Sequence, residues 1–268
     1  MHYASAISEL EEALALEAAE GGYWRGFADA RYQSLNGMFG GWTAALLLRA
    51  VMQSCDPNLT PSSITVNFVN RIESGTAVAV RTHHLGGGSA IDHWQATIGT
   101  DGTEAVLATC MVVLSKRQPT DGHTEPTMPE APEPDSLPTV HPPGNAGQRT
   151  VIRPVHGMPP FGRNHTSSLH WTREASGRVV DHLQLAFLAD ACAPRPFFWS
   201  DGPRLSATLT LSTYFHATRE EIGAIGDDYV LTEAIGTRGV ESTSGQQATL
   251  WSRRGDLLAT TVQLAWYR

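Results

Sequence analysis

A glycine-rich turn leads directly into an apolar segment between Asn36 and Ala50, and its residue types could bind a negative charge. From Trp42 onward the segment is apolar nearly all round, which predicts a central helix enclosed by protein on most sides. A helix that begins here presents the free amides of Gly40, Gly41 and Trp42, and such a helix start attracts a carboxylate, a phosphate or a developing oxyanion. Paired glycines before a helix also serve close packing, so both interpretations stay open.

The histidines and cysteines lack the spacing of a metal site, and the sequence lacks a known motif for a serine nucleophile. His83, His84 and His93 have no acidic or cysteine ligand at useful spacing, and the three cysteines are widely separated. We therefore expect surface or strand histidines, buried free thiols and no metal. The sequence contains no Gly-x-Ser-x-Gly motif, which argues against a serine nucleophile of that type.

The composition is that of a globular protein. The chain has 268 residues, of which 41% are hydrophobic and 17% charged, enough for one large or two ordinary domains. A net charge of −8 argues against a nucleic-acid partner, which usually meets a basic surface. No apolar run approaches the ~20 residues of a membrane span, and acidic residues near the N-terminus argue against a signal peptide. These features predict a soluble cytoplasmic protein with no membrane partner.

The elements that must position the glycine turn can be followed along the first half of the chain. Apolar residues at helical spacing behind Ser5, an acceptable cap, predict an amphipathic helix over residues 5–19 that Gly21 and Gly22 end. Alternating or β-rich runs predict strands separated by glycine and aspartate turns. These runs are residues 22–32, 63–72, 76–83, 90–99 and 105–116.

Residues 118–147 differ sharply from their surroundings. They contain eight prolines among acidic and small residues and almost no large apolar side chains. Proline removes backbone donors, so this composition predicts an extended, mobile linker. The predicted organisation is an N-terminal unit (1–117), a proline-rich linker (118–147) and a C-terminal unit (148–268).

The order of elements starts again after the linker. A strand is predicted at residues 167–173 and an apolar helix at 179–192, ended by prolines. Four further strands are predicted at residues 204–213, 229–238, 244–252 and 257–267.

Short sequences recur between the two halves and indicate duplication. The tetrad QATI at residues 95–98 matches QATL at 247–250, and VLAT at 106–109 matches LLAT at 257–260. A repeat built as a long helix wrapped by a curved antiparallel sheet is the hotdog arrangement. We therefore predict an α+β fold of two tandem hotdog units, a double hotdog, whose sheets meet edge to edge and protect one edge of each.

Several segments of both halves carry a resemblance to a known family. Phe39-Gly40-Gly41 resembles that family's central helix start, and residues 185–190 (LAFLAD) resemble a helix that supplies an aspartate. Residues 207–209 (ATL), with Phe215-His216, resemble a threonine-bearing strand, and residues 258–263 (LATTVQ) resemble a terminal strand that ends in a functional glutamine. Together they resemble the double-hotdog acyl-CoA thioesterases of the type II class and the wider thioesterase-like superfamily.

The resemblance implies an enzyme that hydrolyses an acyl-CoA to the free acid and CoA, without a cofactor and as a homo-oligomer, a dimer or higher. It implies a catalytic set of Asp190, Thr208 and Gln263. Asp190 would accept a proton from water, while Thr208 and Gln263 would hold that water against the thioester carbonyl. Backbone amides of Gly40 or Gly41 would stabilise the developing oxyanion.

Each residue of this set also has an ordinary structural interpretation. Asp190 could cap a helix or pair with Arg195, Thr208 could be a plain strand residue, and Gln263 could be an outward polar position of an alternating strand. Val112 takes the approximate repeat position of Gln263, so we expect one competent site per chain.

Bulky aromatic residues are predicted to shape the acyl slot. Phe39, Trp42 and Phe187 would bind substrate, and together with residues 197–199 would favour a medium-chain or otherwise bulky acyl group over acetyl. Basic side chains would hold the CoA end. The sequence leaves four candidates open, namely Arg49, Arg71, Arg195 and Arg219.

Two other functions fit the same fold. A catalytically degenerate acyl-thioester-binding or scaffold protein would keep the slot and lose the reaction. A hydratase or dehydratase of acyl thioesters would need a histidine and an acid paired in one site, and the sequence has no convincing Asp-x-x-x-x-His pattern of that kind.

Overall fold

The computed structural model describes residues 7–20, 22–159 and 161–268. The first half contains α1 (Glu9–Ala13), β1 (Glu17–Ala19), β2 (Tyr23–Phe27), β3 (Gln33–Ser34), β4 (Gly37–Met38), α2 (Gly40–Ser54), β5 (Thr60–Phe68), β6 (Ala77–Gly87), β7 (Ile91–Thr100) and β8 (Val106–Ser115). The second half contains α3 (Asn145–Gln148), β9 (Thr150–His156), β10 (Ser168–Glu174), α4 (His182–Leu188), α5 (Pro196–Trp199), β11 (Ser206–Phe215), α6 (Arg219–Ile225), β12 (Val230–Val240), β13 (Thr243–Trp251) and β14 (Leu257–Tyr267).

Twelve of the strands form one antiparallel sheet. Its order is β1-β2-β6-β7-β8-β5-β11-β14-β13-β12-β10-β9, so the order of the first half is mirrored in the second about the central pair β5 and β11. That pair aligns Asn67 with Thr210 and Ser63 with Tyr214, and the hydroxyls of Thr65 and Ser212 lie 3.0 Å apart across it. The sheet therefore runs without a break from one half of the chain into the other.

The predicted central helix is confirmed as α2, which begins at Gly40. Its residues are buried almost throughout, and it contacts α4 and strands β5 to β8. A side chain at Gly41 would overlap the Phe187 carbonyl oxygen, and one at Gly40 would lie 2.6 Å from Asp190 Oδ2. The paired glycines thus allow the start of α2 to approach the end of α4 closely.

The N-terminal helix is shorter than predicted. Residues 9–13 form α1, whose N-cap is Ser8 with its hydroxyl accepting from the Glu11 amide at 3.2 Å. The proposed cap Ser5 and the terminating Gly21 lie outside the described residues. Residues 17–19 form β1, which pairs with β2, so edge pairing replaces the last predicted helical turn.

The strands predicted after the linker are all present, but the four elements α3, β9, α5 and α6 were not predicted. The strand β9 is interrupted in sequence by Pro154, which weakens a strand pattern, and it lies at the sheet edge where proline is tolerated. The helix α6 is short and held by a capping box between Thr218 and Glu221. The predicted helix at 179–192 is confined to His182–Leu188, with Asp181 as N-cap.

The proline-rich segment divides into two parts. Residues 118–127 are exposed, whereas side chains within residues 128–137 pack against the second half of the sheet, and Asn145 donates to the Ala30 carbonyl of the first half at 2.9 Å. Around residues 128–137, Trp171 Nε1 donates to the Pro132 carbonyl at 2.8 Å, and Arg153 donates to the Leu137 carbonyl at 2.6 Å. Backbone carbonyls of the proline-rich segment therefore accept the hydrogen bonds that attach it to the second half of the sheet. Among the described residues, no helix is long and apolar enough to cross a membrane.

Candidate active site

Asp190 lies just beyond the end of α4 and faces the beginning of α2. Its carboxylate accepts a hydrogen bond from the backbone N–H of Gly41. The N-cap residue of α2, Phe39, provides no side-chain cap, so the carboxylate from the other half of the chain satisfies an amide at this helix start. The helix-cap interpretation of Asp190 is thus correct in an unexpected form, because the capped helix is α2.

The side-chain amide of Gln263 joins Asp190 to Thr208. Gln263 Nε2 donates to Asp190 Oδ1 at 2.7 Å and to Thr208 Oγ1 at 2.8 Å. Thr208 precedes a β-bulge in β11, a feature that re-aims side chains at strand ends. The three residues named from the sequence, which are separated by up to 73 positions, therefore meet in one hydrogen-bonded group.

A fourth member of this group, Gln246, was not predicted. It is 4% exposed, and its Nε2 donates to Gln263 Oε1 at 3.1 Å. Because Oε1 accepts this bond, the Nε2 of Gln263 must point toward Asp190 and Thr208. A signal was present in the sequence, since Gln246 directly precedes the repeated tetrad QATL on an alternating strand.

The surroundings of Asp190 favour the neutral acid more than water does. Burial raises the pKa of its carboxyl to about 7, although the bonds from Gly41 and Gln263 oppose this shift by stabilising the anion. A carboxyl with a pKa close to neutrality can both accept and release a proton at physiological pH.

A cavity of about 570 Å³ opens beside this group, within the size range of small-molecule sites. Asp190, Thr208, Gln246 and Gln263 all line it. Residues 140–143 of the proline-rich segment form another part of its wall.

The aromatic residues predicted to bind substrate separate into two groups. Phe39, Phe197 and Phe198 line the cavity. Trp42 and Phe187 do not, because both are fully buried in the hydrophobic core. There Trp42 Nε1 donates to the Ala13 carbonyl at 3.0 Å, and Phe187 packs edge-on against Phe39 at 5.2 Å. Core packing accounts for the bulk of these two residues.

The glycine amides are partly committed to Asp190. The Gly41 N–H already donates to that carboxylate, and Gly40 lies beside its other oxygen. Their assignment as the oxyanion site stays a prediction. Among the described residues, the Gly40 N–H has no hydrogen-bond acceptor and is therefore the better candidate.

The four candidate arginines lie in different environments. Arg49 pairs with Glu11 and Arg71 with Glu73, while Arg219 begins α6 on the surface. Arg195 is 2% exposed and lines the cavity, and it forms no ion pair with Asp190. Arg71 donates to Asn36 Oδ1 at 3.4 Å, and both Asn36 and Arg204 line the cavity. The role of Arg204 was not predicted.

Comparisons with known proteins identify the family of the chain. Residues 119–267 match the model of the acyl-CoA thioesterase C-terminal domain, and residues 28–114 match that of the acyl-CoA thioesterase N-terminal domain. No curated protein matches the sequence significantly.

Solved structures reproduce the fold over nearly the whole chain. A conserved protein of unknown function with a hot dog fold from Alicyclobacillus acidocaldarius is 30% identical, with a TM-score of 0.91 and 97% of each chain covered. A tesB protein from Mycobacterium avium subs paratuberculosis is 21% identical, with a TM-score of 0.79 over 97% of this chain and 98% of that one. An acyl-CoA thioesterase II from Mycobacterium marinum is 19% identical, with a TM-score of 0.75 and the same coverage. The chain belongs to the acyl-CoA thioesterase family and is a thioester hydrolase acting on acyl-CoA.

Proposed function

We propose that this enzyme hydrolyses acyl-CoAs whose acyl group is of medium length or bulky, at one site per chain built from Asp190, Thr208 and Gln263. The observation that carries the proposal is the bridging amide of Gln263, which holds Asp190 and Thr208 together at the cavity wall. A titratable carboxyl, a hydroxyl and an amide that meet at the wall of one cavity are the kind of group to which catalytic roles are assigned.

In this proposal Asp190 is the general base. Water bound between Asp190 and Thr208 loses a proton to the carboxylate as its oxygen attacks the thioester carbonyl carbon. Because both N–H groups of Gln263 are used on Asp190 and Thr208, its role is to align these two groups, with Gln246 fixing the amide orientation. The hydroxyl hydrogen of Thr208 is then available to the water.

The leaving group and the developing oxyanion need separate partners. The Gly40 amide at the start of α2 is the candidate for the oxyanion, since the Gly41 amide holds Asp190. For the CoA phosphates the candidates are Arg204, which lines the cavity, and Arg71, which donates to the cavity-lining Asn36. The C–S bond then breaks, the CoA thiolate takes the proton from Asp190, and the free acid is released with the carboxylate of Asp190 restored.

We also infer that the two halves are tandem hotdog units. The mirrored strand order about β5 and β11 and the recurrence of QATI and VLAT in corresponding strands support a double hotdog. The units 1–117 and 148–268, joined by residues 118–147, remain the proposed boundaries. A cytoplasmic location and homo-oligomeric assembly also belong to this proposal.

A panel of straight-chain acyl-CoAs, with release of the CoA thiol as readout, tests this function. Each methylene buried in the cavity contributes ~0.8 kcal/mol, so kcat/KM should rise about several-fold per carbon and then level off where the cavity ends. Activity that is equal from acetyl upward would contradict the acyl-slot assignment. Binding of acyl-CoA without thiol release would favour the degenerate scaffold.

A further inference from the structure

The floor of the cavity continues along three neighbouring strands beyond the hydrogen-bonded group around Gln263. Gln246 and Gln263 bond to each other across β13 and β14, so their side chains lie on one face of the sheet. Because side chains on a strand alternate between faces, Ser244 and Ala265, each two positions away, lie on that same face. Ala265 pairs with Thr208 on one side and with Ser244 on the other, and all three line the cavity.

Ser244 brings an unpartnered hydroxyl to this floor. The residue is 3% exposed, and its Oγ forms no hydrogen bond with any described residue. The hydroxyls of Thr213 and Thr261 are also unpartnered, but they are sealed from accessible space. The Ser244 hydroxyl is not sealed, and the surface that it keeps faces the cavity that it lines. A buried hydroxyl of this kind is satisfied when a ligand in the cavity supplies its partner.

A second serine, Ser206, lies on the other side of the strand that carries Ala265. Ser206 is two positions before Thr208 on β11 and also lines the cavity, and its hydroxyl has no hydrogen-bond partner in the described chain. Because β14 lies between β11 and β13, the backbones that carry Ser206 and Ser244 are about 10 Å apart. The side chain of Ala265 is a single methyl group, so the space between the two hydroxyls stays open.

The two ends of the cavity differ in exposure and polarity. Arg204 and Leu205, directly before Ser206, line the cavity and are exposed, so the cavity reaches solvent there beside a basic side chain. The wall toward the far edge of the sheet contains apolar side chains, among them Met158 and the buried Ile152 of β9. An acyl chain gains from burial, whereas the phosphates of CoA need water and cations. This difference favours the acyl group toward β9 and CoA toward Arg204.

We propose that Ser244 and Ser206 bind the amide of the cysteamine unit, the part of CoA next to the thioester sulfur, where it crosses Ala265. This inference rests on the proposed function, since it takes the thioester to be held at Asp190 and Thr208. The amide N–H would donate to Ser244 Oγ, in line with Thr208, and Ser206 would donate to the amide carbonyl, further from the sulfur. The N–H and the C=O of a trans amide point to opposite sides, as the two serines lie on opposite sides of β14.

Three thioesters of one acyl group distinguish the two predicted hydrogen bonds. Octanoyl-N-acetylcysteamine has both the amide N–H and the carbonyl. The octanoyl thioester of acetoxyethanethiol replaces the N–H by an ester oxygen, and the S-pentyl thioester lacks both groups. Thiol release is measured with the parent and with each variant on the same substrate, so the intrinsic reactivity of each thioester cancels from the ratio.

The variants are single serine-to-alanine changes, which remove no hydrogen bond of the folded chain. Ser244→Ala should lower kcat/KM about 3- to 10-fold with the N-acetylcysteamine thioester, the value of one hydrogen bond, and leave the other two unchanged. Ser206→Ala should lower it by a similar factor with the two thioesters that have the carbonyl. Ser212→Ala is the matched control, because its hydroxyl lies 3.0 Å from that of Thr65 and does not line the cavity. It should keep the parental values throughout.

Two outcomes would overturn the subsite and leave the proposed function standing. One is parental kcat/KM with all three thioesters in a Ser244→Ala variant that has the parental Tm. The other is an equal loss with all three, since the hydroxyl would then act without regard to the amide N–H.

A binding measurement separates this inference from the reaction. The probe is the ketone analogue of octanoyl-N-acetylcysteamine, in which a methylene group between carbonyl and sulfur prevents hydrolysis. Ser244→Ala should weaken its Kd about 3- to 10-fold and leave that of the acetoxyethyl counterpart unchanged. This result in a parent that releases thiol from no acyl-CoA would refute the proposed function and retain the subsite. Equal Kd values for the ketone analogue in the parent and in Ser244→Ala would refute the subsite.

Discussion

The two halves of the sheet have the same pattern of strand pairing but carry different residues at three matched positions. Gln246 pairs with Gln263 across β13 and β14, and Trp94 pairs with Val112 at the corresponding place in β7 and β8. Thr208 is followed by a bulge in β11, and Pro61 is followed by the equivalent bulge in β5. The third matched pair is Gln263 and Val112. Gln263 lies opposite Leu211 in β11, and Val112 lies opposite Ile64 in β5.

This comparison teaches that the backbone alone does not make the site. The first half has the bulge, the strand pairing and the long helix, yet its three positions carry Pro61, Trp94 and Val112, which cannot align a carboxylate and a hydroxyl. Val112 is fully buried in the core, whereas Gln263 reaches the cavity. The expectation of one competent site per chain therefore has a residue-by-residue basis.

Removing the base should have the largest effect. Asp190→Asn conserves shape and still offers an oxygen to the Gly41 amide, but it cannot accept the proton from water. We expect thiol release to fall by about 10³-fold or more with the Tm retained. Near-parental turnover in the purified, folded variant would show that Asp190 is not the base, and the contrast between the halves would lose its chemical meaning.

Converting the second half toward the first should have a smaller effect. Gln263→Val introduces the residue found at the matched first-half position, Val112. Gln263→Val and Thr208→Ala, made separately, each remove an aligning hydrogen bond and leave Asp190 in place. Each should lower kcat by roughly 10²-fold. The matched control is Val112→Ala, which should cost about 1 to 2 kcal/mol of unfolding free energy and leave kcat unchanged. Full activity in Gln263→Val would break the comparison.

The stability of the folded chain should depend on pH through Asp190, which belongs to the second half. The pKa of Asp190 is about 7 in the folded chain and about 3.9 in an unfolded one. Between these values the folded chain retains a proton that the unfolded chain has released, so the free energy of unfolding falls as pH rises. Relative to Asp190→Asn, the parent should thus lose Tm from pH 4 to 7, the range set by those pKa values.

Activity should move in the opposite direction over the same range, because only the ionised carboxylate can act as base. The kcat/KM profile should rise to a plateau above about pH 7. Thr208→Ala is the control, since it should lower the plateau and keep the rising limb. A limb that does not respond to Asp190→Asn in its residual activity would assign the titration to another group.

The smallest effect concerns the segment between the halves. Limited proteolysis should cut first within residues 118–127, which are exposed, and spare residues 128–147, which pack against the second half and, from residue 144 onward, also against residues 30–34 of the first half. Nicked protein should retain its activity because the cavity wall at residues 140–143 stays attached. First cleavage within residues 128–147 would show that this attachment is weak.

Sequence reasoning reached most of the fold because strand alternation, helix apolarity and internal repetition are local patterns. It was less successful where the role of a residue depends on contacts with residues that are distant in the sequence. An all-apolar helix predicts that Trp42 is buried, but it does not say whether its neighbour is core or cavity. The place of Gln246 beside Gln263 follows from a tertiary contact, which no local pattern of the sequence contains.

The hydrogen bond from Gly41 to Asp190 joins the two halves at the reacting group, and it has an evolutionary consequence. A half that has lost its own polar side chains would ordinarily be expected to diversify freely, provided that it still folds. Here Pro61, Trp94 and Val112 can drift in that way, whereas Gly40 and Gly41 cannot, because a side chain at either would collide with Asp190 or with the Phe187 carbonyl. If catalysis is confined to the second half, selection on it would thus also act on two backbone positions of the first half.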